Sequence, residues 1–181
     1  MKPKSYVLVA VLLIILFFSY WGFVRYEHAN VSKVVLTPLD KSKKGSYAIV
    51  AVRSFAQGEV VFVEQNPNLN IPSREYHAYY LKKSFWGWHI QNSELTTTGL
   101  GIPTYNVDLQ FLNADGNTLV WGTKINKQLE QVVYHHDGKT YVSKPINAEV
   151  WYFTLPFTVN PIYNNELTGV LNNGTQIPLM K

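Results

Sequence analysis

Val107-Asp108-Leu109-Gln110-Phe111-Leu112-Asn113-Ala114-Asp115-Gly116-Asn117-Thr118-Leu119-Val120-Trp121 is the stretch that decides the fold class. Two apolar-rich runs, Val107–Leu112 and Thr118–Trp121, flank Asp115-Gly116-Asn117. Asp, Gly and Asn take the positive φ angles of a tight turn at little cost, so the stretch predicts a β-hairpin. The same grammar recurs at Gln131–His135, Asp137-Gly138 and Thr140–Ser143.

Outward from these hairpins, further strand-like runs are Lys33–Leu36, Tyr47–Val52, Val60–Val63, Tyr76–Leu81, Phe85–Ile90, Ala148–Leu155, Gly169–Leu171 and Gln176–Leu179. Short strands with frequent turn residues predict an antiparallel β-sandwich or barrel-like domain. The one expected helical turn after the N-terminal segment is Asn126–Glu130, where Ile125, Leu129 and Val132 fall at helical spacing. Residues 65–73, with two prolines and three asparagines, and residues 93–105 read as loops.

Towards the N-terminus the pattern changes. From Tyr6 to Val24 no residue is charged, and Ser19 and Gly22 alone interrupt the apolar run. As a helix rising about 1.5 Å per residue, this run matches the ~30 Å hydrocarbon core of a bilayer. Tyr6, Tyr20 and Trp21 stand near its ends, where such rings favour the interface. Its length, and the absence of a small-x-small cleavage site after it, favour a retained signal-anchor over a cleaved signal peptide. The expected organisation is a tail (1–5), a transmembrane helix (6–24), a linker (25–32) and an extracytoplasmic β-domain (33–181). Lys2 and Lys4 favour a cytoplasmic N-terminus, while Arg25, Lys33 and the Lys41, Lys43, Lys44 cluster oppose it by the positive-inside rule. A short tail ahead of a signal-like segment stays in place while the following domain translocates. The expected location is therefore the cell membrane, single-pass, with the C-terminal domain outside the cytoplasm.

Composition narrows the function. The chain has no cysteine, which excludes disulfides, thiolate metal sites and a cysteine nucleophile. Only 15% of residues are charged, and without the anchor's flanking charges the domain is left near +2, too little for a nucleic-acid surface. The chain carries no Gly-x-Ser-x-Gly elbow, phosphate-binding glycine loop or His-Glu-x-x-His, and no cofactor is expected. Its acidic residues are spread singly.

Two groups of residues are candidates for a site. His135-His136-Asp137 is the densest set of possible metal ligands; in a strand His135 and His136 point to opposite faces, so His135 and Asp137 are the pair that could share an ion, with His77 or His89 as further partners. The competing reading is a polar hairpin tip. The aromatics are the second group. In Phe85-Trp86-Gly87-Trp88-His89, Trp86 and Trp88 share one face of the expected strand; Trp121 precedes Gly122, and Trp151-Tyr152-Phe153 alternates likewise. These rings form either a packed core or an exposed face for a sugar, peptide or partner protein. Trp86, Trp88, Trp121, Trp151 and Tyr152 are the candidate binding residues.

The apolar N-terminus, Tyr80-Leu81-Lys82-Lys83-Ser84-Phe85-Trp86-Gly87-Trp88, Trp121-Gly122-Thr123, Val132-Val133 and Val150-Trp151-Tyr152 together resemble small membrane-anchored envelope proteins of Gram-positive spore-forming bacteria. The resemblance covers most of residues 45–155. It implies an envelope location and carries no activity and no site residue.

The function expected from the sequence is an anchored extracytoplasmic binding or accessory protein. Its partners would be the bilayer through residues 6–24 and a wall component, a peptide or a membrane protein. The alternatives are a hydrolase or metal-dependent enzyme near His135 and Asp137, and a subunit whose Ser19-x-x-Gly22 pair lets a second helix approach.

Overall fold

The computed structural model describes residues 3–42, 45–68, 74–97, 107–159 and 167–179. The described residues are mainly β, with twelve strands in three antiparallel sheets and two helices. Helix α1 (Pro3–Glu27) is followed by α2 (Val31–Lys41). The first sheet is a meander of β1 (Tyr47–Phe55), β2 (Gly58–Gln65), β3 (Glu75–Ser84) and β4 (Gly87–Thr97). The second contains β5 (Val107–Ala114), β6 (Asn117–Lys124), β10 (Val150–Leu155) and β9 (Lys144–Pro145), in that order. The third has the order β12 (Gln176–Pro178), β11 (Leu167–Leu171), β7 (Leu129–His136), β8 (Lys139–Val142).

Side-chain alternation builds the layers. On β2, Val60 and Phe62 face the second sheet while Val61 and Val63 face α2. On β6, Leu119 and Trp121 face the first sheet while Val120 faces the third. Both strands are buried on two sides, which is why each reads as an unbroken apolar run rather than an alternating one. The layers therefore run α2, first sheet, second sheet, third sheet, with one apolar cluster in each gap. At Gly122 a Cβ would sit 1.8 Å from the Asp108 carbonyl oxygen, so only glycine lets β5 and β6 pair here.

Both Asp-Gly hairpins form. Asp115 and Gly116 have φ of 51° and 75°, Asp137 and Gly138 of 47° and 72°, the positive pair of a two-residue turn.

Four expectations are corrected. Lys33–Leu36 is helical: Asn30 caps α2 by accepting from the Ser32 N–H at 2.8 Å, and Val31, Val34, Val35 and Leu39 form a helical stripe on the first sheet. Burial of that stripe outweighs the β preference of its valines. The expected linker 25–32 is likewise mostly helix, with α1 running to Glu27. Asn126–Glu130 is not a helix: residues 126–128 form a turn, and Leu129 and Glu130 already belong to β7. The expected loop from residue 93 begins as strand, since β4 runs to Thr97; residues 98–106, like 69–73 of the other expected loop, lie outside the described residues.

Candidate functional site

β3 and β4 are joined by a two-residue loop, Phe85-Trp86, closed by the pairing of Ser84 with Gly87. Trp86 therefore sits in the turn and does not share a strand face with Trp88, as the sequence had suggested. The Ser84 hydroxyl accepts from the Trp86 N–H at 3.2 Å and donates to the Gly87 carbonyl at 3.3 Å. Phe85 and Trp86 meet edge-to-face at 5.4 Å and are 74% and 51% exposed.

This tip lies against α1. Trp86 lines a cleft of about 240 Å³ with Phe17, Tyr20, Trp21 and Val24, spaced so that all four occupy one helix face. Ser19 and Gly22, both exposed, fall on the opposite face. The end of α1 is clamped to the hairpin: the Trp88 N–H donates to the His28 carbonyl at 2.8 Å, and His28 Nδ1, as the protonated tautomer, donates to the Trp88 carbonyl at 2.6 Å. Gly87 makes this contact possible. Its φ is 107°, and a Cβ there would lie 2.4 Å from the His28 carbonyl oxygen. Cations crown the aromatic cluster: Arg25 lies 5.0 Å from the Trp21 ring, Lys33 lies 3.6 Å from Tyr26 and Lys83 lies 5.9 Å from Trp88.

The other aromatic candidates separate by burial. Trp121 and Trp151 are core residues at 0% and 1% exposure, the first edge-on to Phe62 and the second stacked on Phe153. Of the two expected readings, core or exposed face, both rings take the first, and neither stands on a surface. Trp88 is half-buried among the residues beneath α2. Tyr152 leans on Phe62 and also lines a groove of about 240 Å³ with Thr140, Tyr141, Val142, Lys144 and Thr154. The groove forms where the chain leaves β8 in the third sheet, turns at Ser143 and enters β9 in the second. β9 pairs with only Trp151 and Tyr152 of β10, so the rest of β10 lies past its reach. Tyr152 is the one lining residue the sequence had marked; the rest of the groove has no linear signal, because it exists only where two sheets come together.

The histidines do not converge. Asp137 is in the turn and lies 3.6 Å from His136 Nε2, while the His135 ring is 3.1 Å from Thr140 Oγ1. The expected His135–Asp137 pairing on one face therefore fails, since the turn takes Asp137 out of the strand's alternation. His136 packs 4.7 Å from Phe157. His77 sits in the first sheet beside Tyr47 and Tyr79, and burial pushes its pKa down. His89 lies next to the Gly87 carbonyl. Among the described residues no group of three or more His, Asp or Glu is placed to hold a metal ion.

Glu149 and Asp115 tie the first sheet to the second, and Glu64 is held within the first. Tyr76 and Tyr80, on the inward face of β3, donate to Glu149 at 2.9 Å and Asp115 at 2.6 Å. Lys82 joins Asp115 and Arg74 joins Glu64. Burial and then the carboxylate partner push each tyrosine up to about 12, and the Lys82 and Tyr80 bonds hold Asp115 below the usual carboxylate range.

No protein-family model matches the chain, and neither does any curated protein or solved structure.

Proposed function

We propose that the chain is a single-pass, membrane-anchored binding or accessory protein. In this reading α1 spans the bilayer, the N-terminus is cytoplasmic and the sandwich-like stack of sheets stands outside it. The observation that carries the reading is α1 itself. It is the one helix among the described residues long and apolar enough to cross a membrane, and none of its window from Val9 to Tyr26 is buried. A core helix of a soluble protein would hide that surface. The His28–Trp88 clamp supports retention over cleavage, because it joins the end of the helix to the domain.

The groove at Tyr141 and Tyr152 is the binding surface in this proposal. Its volume of about 240 Å³ is below the roughly 300–1,000 Å³ of enclosed small-molecule pockets. It suits a segment of a longer chain, and the open edge of β8 suits an extended peptide that adds as a strand. A photo-crosslinker at Val142 in the full-length protein tests this. Capture of a peptide or membrane protein, lost in the Tyr141→Ser/Tyr152→Ser double variant, is the expected result; equal capture by both proteins would refute the groove. Protease added to intact cells should cut the domain, and full resistance would reverse the orientation. Release of intact protein without detergent would overturn the anchor.

A further inference from the structure

We infer that the Phe85-Trp86 hairpin tip is a second membrane contact, inserted into the interfacial layer of the same bilayer that α1 crosses. The inference rests on α1 spanning that bilayer. Outside α1, Phe85 and Trp86 are the two most exposed large apolar side chains among the described residues, and they stand side by side at one tip. The three comparable two-residue loops carry Ala56-Gln57, Asp115-Gly116 and Asp137-Gly138. Tips facing water normally carry such small or polar residues, and an exposed aromatic pair marks a contact.

The position of the tip identifies what it contacts. Trp86 lies along the Phe17–Val24 face, which covers about 10 Å of helix axis at about 1.5 Å per residue. All of that face precedes Arg25, the first charged residue on the domain side. The tip thus sits at the depth of the last two turns of the membrane helix, where Trp is favoured and where amphipathic surfaces bury about 5–10 Å. Arg25, Lys33 and Lys83 hold their charges over the rings of Trp21, Tyr26 and Trp88, the arrangement that meets phospholipid headgroups. The clamp between His28 and Trp88 fixes the angle between the two contacts. With two points held, the stack of sheets cannot swing freely about its helix.

The absence of cysteine makes the test clean. Full-length Phe85→Cys and Asp137→Cys carry an environment-sensitive fluorophore and are reconstituted in mixed phosphatidylcholine–phosphatidylglycerol vesicles. Acyl chains brominated near the headgroup are expected to quench the label at 85 at least about twofold more than the label at 137. In a Trp21→Phe background, Trp86→Phe should remove most of the remaining lipid quenching of intrinsic fluorescence, which guards against the fluorophore drawing itself into lipid. A label at 85 open to aqueous iodide and untouched by brominated lipid, in protein that resists alkaline extraction, overturns the inference and leaves the anchor standing. Shielding from both quenchers also overturns it, because a second copy or a partner protein then covers the tip. Loss of the chain from the vesicles on alkaline extraction removes the spanning helix, and the inference falls with it.

Discussion

The β5–β6 and β3–β4 hairpins share a plan and reverse its chemistry. Both close through two-residue loops. In the first, the aromatic residue lies in the arm, where Trp121 is sealed between sheets, and the tip is Asp115-Gly116. In the second, the inward face of the arm carries Tyr76, Ala78 and Tyr80, and the apolar pair stands at the tip. Both hairpins bury apolar side chains in their arms, but one has a polar tip and the other leaves Phe85 and Trp86 exposed beside α1. An aromatic residue in a strand-like run is thus either sealed in the core or exposed, and the position of the turn decides which.

The largest expected effect separates the two tryptophans. Trp121→Ala should cost about 3–5 kcal/mol by opening a cavity in the core, whereas Trp86→Ala should stay within about 0.5 kcal/mol of the parent. Urea denaturation of the full chain in micelles, followed by near-UV circular dichroism, measures both. Equal losses would erase the distinction between the hairpins.

Next is the joint between the tip and α1. Gly87→Ala forces a side chain into positive φ and onto the His28 carbonyl, which should cost about 1–3 kcal/mol. Hydrogen exchange should show faster exchange at the Trp88 amide, and unchanged protection there would break the clamp.

The internal tie should matter less. Tyr80→Phe removes a hydrogen bond to Asp115 and should cost about 1 kcal/mol in the same denaturation experiment, with the Phe85-Trp86 loop unchanged. Asp115, whose pKa is depressed, contributes stability above the ordinary carboxylate range that is lost as pH falls through its folded value.

The smallest effect concerns the other face of the β3 arm. His77 is held neutral by burial, so its folded pKa lies below its ordinary value of 6.5. The unfolded chain then binds more protons in acid. The His77 contribution is complete above about pH 6.5 and fades as pH falls towards the folded pKa. Denaturation midpoints from pH 7 down to pH 5 should decline, with a shallower slope in His77→Phe; parallel slopes would remove His77 as the source.

Much of the architecture was legible because its signals are local. Asp115-Gly116 and Asp137-Gly138 select positive φ wherever they stand, and the uncharged apolar run Tyr6–Val24 lies within helix α1. The candidate site was less legible. Ser84-Phe85-Trp86-Gly87 holds no standard turn pair; Trp86 was marked as a strand residue rather than a turn residue, and the need for glycine at 87 is clear only once His28 stands against it. Of the groove, the sequence marked Tyr152 alone; its other walls come together only when two sheets meet.

By itself, then, the amino-acid order determined the β class, two of the hairpins and the apolar helix, because turn chemistry, alternation and transfer out of water act over a few neighbouring residues. Tertiary structure alone decided that Val34 and Val35 belong to a helix, that Trp121 and Trp151 are core and that Trp86 lies beside α1. Each of those outcomes depends on which surfaces meet, and burial against a distant partner outweighs the local preference of any single residue.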